Sequence, residues 1–305
     1  MKTIGITGGT GLIGKHLSSL LVNHGYKVII FTRSPSKYTS KQPVTYARWD
    51  QSSNACDIAA IKSLSAMVHL AGAGVADKRW TKKRKDEIRH SRVNGTRFII
   101  SILKEHGNHC KTFVTASATG YYGPDHSPVV PFTETAQAHE DFLGTTCMQW
   151  ENESHKAEAF ARTVVLRFGI ALAKESGAFP EFAKPLSLGV MPILGGGKQV
   201  ISWIEADDLA RMILFAIEHE NVSGTYNAVA PKPVTQKDLM KTIAATKGGL
   251  AIPVPAPAFL LRAILGEMST EVLKSCTVTS QKVIEAGFKF NHTEIGSAVK
   301  AILSN

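Results

Sequence analysis

The sequence has few cysteines, no long apolar run, no excess of one charge sign large enough to define a partner, and no tyrosine between Tyr122 and Tyr226. Each absence closes off a class. The four cysteines, Cys56, Cys110, Cys147 and Cys276, are scattered without paired or metal-like spacing, which argues for reduced thiols and against a disulfide framework or a metal site. No apolar stretch approaches the ~20 residues that a membrane span needs. Met1-Lys2-Thr3 runs straight into the first strand pattern, so no signal peptide, no membrane partner and a cytoplasmic location are expected. The formal net charge is +10. Its densest basic stretch, Lys78 to Arg92, is interleaved with Asp86 and Glu87 and carries a helical apolar period. An anionic nucleotide accounts for that excess as well as nucleic acid does, and no nucleic-acid partner is expected. With 305 residues and 44% hydrophobic residues, the chain can bury a full core.

What is present begins at the N-terminus, with the apolar strand Thr3 to Thr7, the glycines of Thr7-Gly8-Gly9-Thr10-Gly11-Leu12-Ile13-Gly14, and a helix pattern from Lys15 to His24. Gly8 suits a tight strand-to-helix turn, Gly11 lets backbone approach a pyrophosphate, and Gly14 lets the helix pack close to the strand. Thr7, Gly8, Gly11, Leu12, Ile13 and Gly14 are therefore candidate dinucleotide contacts, with phosphates set on unpaired helix N–H groups. A second strand, Lys27 to Phe31, ends in Thr32-Arg33-Ser34. An acid there would repel a ribose 2′-phosphate. Thr32 and Arg33, with Lys37 nearby, instead favour NADP(H), the alternative being that Arg33 is a solvated loop residue. A third strand, Val44 to Trp49, ends at Asp50, which either accepts from the adenine amino group or caps a turn.

Ala66 to Leu70 reads as a fourth strand closed by Ala71-Gly72-Ala73-Gly74; Leu70, Ala71 and Gly72 are small or apolar enough for backbone to lie against the cofactor. A long helix, Lys82 to His106, follows Arg79-Trp80-Thr81, and the cations Arg79 and Arg92 face either an anionic ligand or solvent. Strand five, Lys111 to Thr115, leads into Ala116-Ser117-Ala118-Thr119-Gly120-Tyr121-Tyr122-Gly123. In a parallel sheet this is the carboxyl edge beside the switch point, where reacting groups belong. Ala116 is placed against the cofactor, and Tyr121, Tyr122 and Ser117 are candidate catalytic groups, with structural packing of Tyr122 the alternative. A helix from about Glu140 to Ala161 sets Cys147 beside Trp150 and Glu151 on one face. Arg162 to Leu172 is strand six. Beyond it, Pro180, Pro185, Gly189, Pro192 and Gly195-Gly196-Gly197 mark the substrate side. Asp207 or Asp208 caps the next helix, Pro253, Pro255 and Pro257 read as a stiff linker, and three short helices complete the tail.

These motifs together resemble the extended short-chain dehydrogenase/reductase proteins, in particular an "epimerase family protein" group. They are TGGTGLIG, HLAG, RWT…SR, SATGYYG, a helix ending in WE, LRFGIAL and GGGKQVISWIEADDL over residues 3 to 230, then a tail resembling that group's C-terminal domain. The resemblance implies a Rossmann-type, doubly wound α/β sheet with a smaller, mainly helical C-terminal lobe on the substrate. The expected division is residues 1–172 with 199–230 for the cofactor, and 173–198 with 231–305 for the substrate. It also implies a Tyr-x-x-x-Lys pair in which Tyr moves the proton and Lys lowers its pKa and holds the ribose. That pair is missing: aligned through Glu151, Leu143 stands at the Tyr position and Cys147 at the Lys position, and Ala118 stands where a Ser or Thr is usual. Two functions remain open. One is an NADP(H)-dependent oxidoreductase or epimerase-like enzyme acting on a carbonyl or alcohol carbon of a small, nucleotide-linked or free substrate. The other is a non-catalytic NADP(H)-binding sensor.

Overall fold

The computed structural model describes residues 2–248 and 250–304. In chain order the elements are β1 (Thr3–Thr7), α1 (Leu12–Asn23), β2 (Lys27–Thr32), β3 (Val44–Asp50), β4 (Ala55–Cys56), α2 (Ile58–Lys62), β5 (Ala66–His69), α3 (Lys82–His106), β6 (Thr112–Ala118), α4 (Phe142–His155), β7 (Arg162–Phe168) and β8 (Ile170–Leu172). Then come α5 (Ala178–Leu186), β9 (Val190–Leu194), β10 (Val200–Ile201), β11 (Trp203–Glu205), α6 (Ala206–Glu218), β12 (Gly224–Ala228), β13 (Val234–Thr235), α7 (Gln236–Lys247), β14 (Ile252–Ala256), α8 (Ala258–Leu265), α9 (Ser269–Leu273), α10 (Gln281–Glu285) and α11 (Ile295–Ser304).

The main sheet runs β12-β7-β6-β5-β1-β2-β3-β4, parallel except for the β3–β4 pair. The chain leaves β1 in one direction through β2 and β3, then returns to the other side of β1 at β5. The strand order therefore reverses between β1 and β5, and that crevice is where a doubly wound sheet takes its ligand. Strands buried on both faces need apolar residues at every position, and alternation divides them. Ile4, Ile6, Val28, Ile30, Val68 and Val114 pack on Leu17 and Leu21 of α1 and Leu209 and Ile213 of α6. Phe31, Met67 and Phe113 face Ile99, Ile100 and Leu103 of α3 on the other side. A third core joins Leu172, Phe179, Met191 and Trp203 to Leu239 and Ile243 of α7 and Val299 and Ile302 of α11.

Three local expectations are corrected. The helix after the SATGYYG edge ends at His155 and tightens into a single 3₁₀ turn, Lys156–Ala159, instead of reaching Ala161. Helix α6 is capped by Glu205, whose carboxylate accepts from Asp207 N at 2.8 Å and Asp208 N at 3.0 Å. Asp208 turns the other way and accepts from Asn291 N and His292 N of the tail, a tertiary bond that no local pattern announces. The proline-rich segment is a strand: β14 pairs in parallel with β9, from Ile252 opposite Val190 to Ala256 opposite Leu194. Ile252 N points inward to Gly189 O, so the alternate prolines Pro253 and Pro255, which have no N–H to offer, fall on the open edge.

Candidate active site and cofactor groove

At the carboxyl end of β1 the chain turns through Gly8 with φ +72°, a left-handed conformation that a side chain would strain. A Cβ on Gly8 would also stand 2.8 Å from the Leu70 carbonyl carbon. One on Gly14 would meet Gly8 O at 2.5 Å and the backbone of Gly9. The turn and helix can close only without those side chains. Gly11 is exposed and supplies no capping side chain to α1, and the first turn of the helix holds no acid. The N–H groups of Leu12, Ile13 and Gly14 find no acceptor among the described residues. A side-chain-free cradle below a row of unspent donors fits a pyrophosphate.

The other expected cofactor residues divide. Thr32 is half-buried at the end of β2, and its hydroxyl accepts from Ser34 N at 3.4 Å. Arg33 beside it is exposed and forms no ion pair or hydrogen bond among the described residues. Leu70, Ala71 and the exposed Gly72 form the turn after β5, the backbone of Leu70 and Ala71 lying directly against Gly8. Arg79 packs its guanidinium on Gly266, linking the loop before α3 to the C-terminal segment. Ala116 is buried in β6.

Two of the expected cofactor residues have their side chains engaged within the protein. Thr7 is fully buried and its Oγ1 lies 2.6 Å from His69 Nδ1, so it props β1 against β5 beneath the groove. Asp50 accepts from Ser52 N, Ser52 Oγ and Ser53 Oγ. Those bonds hold its carboxyl at about 2 and make it a turn cap.

At the carboxyl edge of β6, two of the three candidate residues are buried. Ser117 is buried and donates to Glu151 Oε1 at 2.5 Å. Arg167 clamps the same carboxylate through Nε at 2.9 Å and its terminal nitrogen at 2.8 Å. It also donates to the Tyr122 hydroxyl at 2.8 Å. Tyr122 has no exposed surface and donates its own proton to Asn227 Oδ1 at 2.6 Å; burial pushes its phenol well above the usual range. Ser117 and Tyr122 are thus closed into a buried Ser–Glu–Arg–Tyr–Asn chain and have no free proton to give.

Tyr121 differs. It is half-buried, its hydroxyl has no hydrogen-bond partner among the described residues, and its ring lies on the Arg167 guanidinium, 3.5 Å from ring centroid to Cζ. Leu143, at the position where the resemblance expects Tyr, packs against Gly120 next to it. Cys147, at the Lys position, is buried, and burial pushes its thiol up to about 12. It stays protonated, which removes it as a nucleophile.

The C-terminal segment closes this edge from above. Lys274 Nζ donates to Glu271 at 2.7 Å and reaches Tyr122 O at 3.4 Å. Cys276 Sγ meets Thr119 O at 3.7 Å, and Thr277 N and Oγ1 both donate to Asp125 at 2.6 Å. Burial raises the Glu271 carboxyl and pushes the Cys276 thiol to about 12. Sequence reasoning missed Arg167, Lys274 and Glu271. Arg167 sits inside the quoted LRFGIAL strand, where an arginine among apolar residues was a usable signal. Lys274 and Glu271 had none, because about 150 residues separate them from the edge that they cover. Among the described residues, no group of three or more His, Cys, Asp or Glu could hold a metal ion, and no helix is long and apolar enough to cross a membrane.

Known proteins match over nearly the whole chain. An epimerase family protein of Bacillus subtilis is 36% identical over 304 residues, covering 99% of this chain and 98% of its own. The human epimerase family protein SDR39U1 (isoform 2), solved with NADPH, superposes with a TM-score of 0.86 at 25% identity and 99% coverage of both chains. A nucleoside-diphosphate sugar epimerase from Corynebacterium glutamicum gives a TM-score of 0.77 at 30% identity, covering 99% of this chain and 58% of that one. Residues 256–302 match a domain of unknown function, DUF1731. With residues 4–228 matching its profile and the glycine cradle, reversed sheet and open crevice in place, this chain belongs to the NAD dependent epimerase/dehydratase family.

Proposed function

We propose that the chain is an NADP(H)-dependent oxidoreductase that moves hydride between the nicotinamide and a carbonyl or alcohol carbon of a small molecule, with Tyr121 as the proton donor. Residues 1–172 with 199–230 hold the cofactor in this reading, and 173–198 with 231–305 cover the substrate. The name of the corynebacterial relative favours a nucleotide-linked substrate. NADP(H) over NAD(H) rests on the free Arg33 cation at the end of β2, where an acid would repel a 2′-phosphate.

The observation that carries the reading is the unpaired Tyr121 hydroxyl at the sheet edge, on a ring seated over Arg167. When bound, the cofactor supplies or accepts the hydride. Tyr121 Oη gives its proton to the carbonyl oxygen as the carbon gains hydride, and takes it back in the reverse direction. The Arg167 guanidinium stacked on the ring holds Tyr121 in place at the sheet edge. Proton donation of this kind is worth about 10²- to 10⁴-fold in rate, so Tyr121→Phe should slow NADPH oxidation by that order with NADPH affinity unchanged, in a panel of carbonyl substrates. Full turnover in Tyr121→Phe would end the assignment.

The substitution of both members of the Tyr-x-x-x-Lys pair by Leu143 and Cys147 favours a second reading, a non-catalytic NADP(H) sensor. It prevails if no carbonyl substrate consumes NADPH while NADPH changes the protein's association with another protein.

A further inference from the structure

The cation lost at position 147 has a counterpart on a different helix. Arg92, on α3, reaches across to α4 and places its guanidinium 5.2 Å from the centroid of Trp150, one turn beyond Cys147 and on the same face. On its other side it lies against the turn after β5, its Cζ 3.3 Å from where a Cβ on Gly72 would be. One terminal nitrogen is spent, donating to Ala73 O at 2.9 Å and Ile88 O at 3.2 Å. That leaves the three N–H bonds of Nε and the other terminal nitrogen. Arg92 is half-buried, and those atoms have no partner among the described residues, nor are they sealed from solvent.

We propose that Arg92 holds the nicotinamide-side ribose and its phosphate in the cofactor, supplying from α3 the charge that a Lys at position 147 of α4 would otherwise bring. The proposal rests on the reading of this groove as an NADP(H) site. Two cations then serve the cofactor: Arg33 at the adenosine end and Arg92 at the nicotinamide end. The guanidinium fork suits this place because Ala73 O and Ile88 O fix its plane beside the Gly72 turn and leave Nε and the other terminal nitrogen uncommitted.

The test is equilibrium binding of two ligands, NADPH and adenosine 2′,5′-bisphosphate, the second carrying only the adenosine end. Loss of a charge-assisted contact predicts a roughly ten- to hundredfold weaker NADPH complex for Arg92→Gln, with the bisphosphate affinity within about threefold of the unmodified protein. Arg92→Lys keeps the charge without the fork and should lose only about three- to tenfold for NADPH and nothing for the bisphosphate. Arg33→Ala should weaken both ligands. Equal losses for the two ligands in Arg92→Gln, or a Lys variant as weak as the Gln variant, would show that Arg92 only staples α3 to α4 and overturn the proposal. Should Arg92→Gln not fold, Arg92→Lys decides alone: no loss specific to NADPH overturns it. If the unmodified protein binds neither ligand, the cofactor reading itself has failed and this proposal falls with it, an outcome distinct from binding that Arg92 does not influence.

Discussion

The two ends of one sheet edge treat their polar groups in opposite ways. Along the glycine cradle and β2, donors are left unspent: among the described residues the first N–H groups of α1 have no acceptor, and Arg33 has no partner. Along β6 and β7, Ser117, Glu151, Arg167, Tyr122 and Asn227 satisfy one another in a buried chain. Open donors are suited to a ligand, because a bond made only on binding contributes to affinity. Closed donors contribute to the fold, because a buried charge without its partner is costly. The lesson is that a polar residue at the right edge of a Rossmann sheet is a candidate for chemistry only if the fold leaves it unpaired, which selects Tyr121 over its neighbour Tyr122.

The comparison can be broken at its open end first. Gly14→Val should bring NADPH binding below detection while far-ultraviolet circular dichroism keeps most of its helical signal, since the added Cβ meets Gly8 O and pushes α1 off the turn. Retained binding would mean that Gly14 serves packing alone. At the closed end, Arg167→Met should cost about 3–5 kcal/mol of stability by leaving the buried Glu151 carboxylate without its cationic partner, read as a fall in the denaturant midpoint. A small loss would show that the network is not a structural clamp.

Arg33→Ala sharpens the contrast. A lost charge-assisted contact of about 1.5–3 kcal/mol should weaken NADPH roughly tenfold or more and leave NADH and the melting temperature nearly unchanged. Equal losses for both cofactors would remove Arg33 from the phosphate.

Near neutral pH the effect at the prop beneath the groove is small, and it grows as pH falls. Burial holds the His69 imidazole down at about 3, against an ordinary value of 6.5. The unfolded chain therefore takes up a proton as pH falls through about 6.5 while the folded chain does not. The stability from neutral His69 is fully present above that pH and drains by about 1.4 kcal/mol per pH unit down toward the folded value. His69→Leu should flatten this part of the stability–pH curve, and an unchanged slope would show that His69 is solvated.

The sequence alone determined the cradle and the sheet. Gly8, Gly11 and Gly14 at their spacing, and the apolar runs of β1, β2, β5 and β6, specify a doubly wound fold because backbone sterics and strand burial are local demands that neighbouring residues meet. Only the tertiary structure decided which polar groups are free. Tyr121 and Tyr122 are adjacent and chemically identical, yet Asn227 and Arg167 close one hydroxyl and leave the other. Asp50 was lost to Ser52 and Ser53, Asp208 to the tail, and Lys274 arrived from the far end of the chain. Hydrogen-bond satisfaction is a property of partners brought together by folding, and sequence distance carries no record of it.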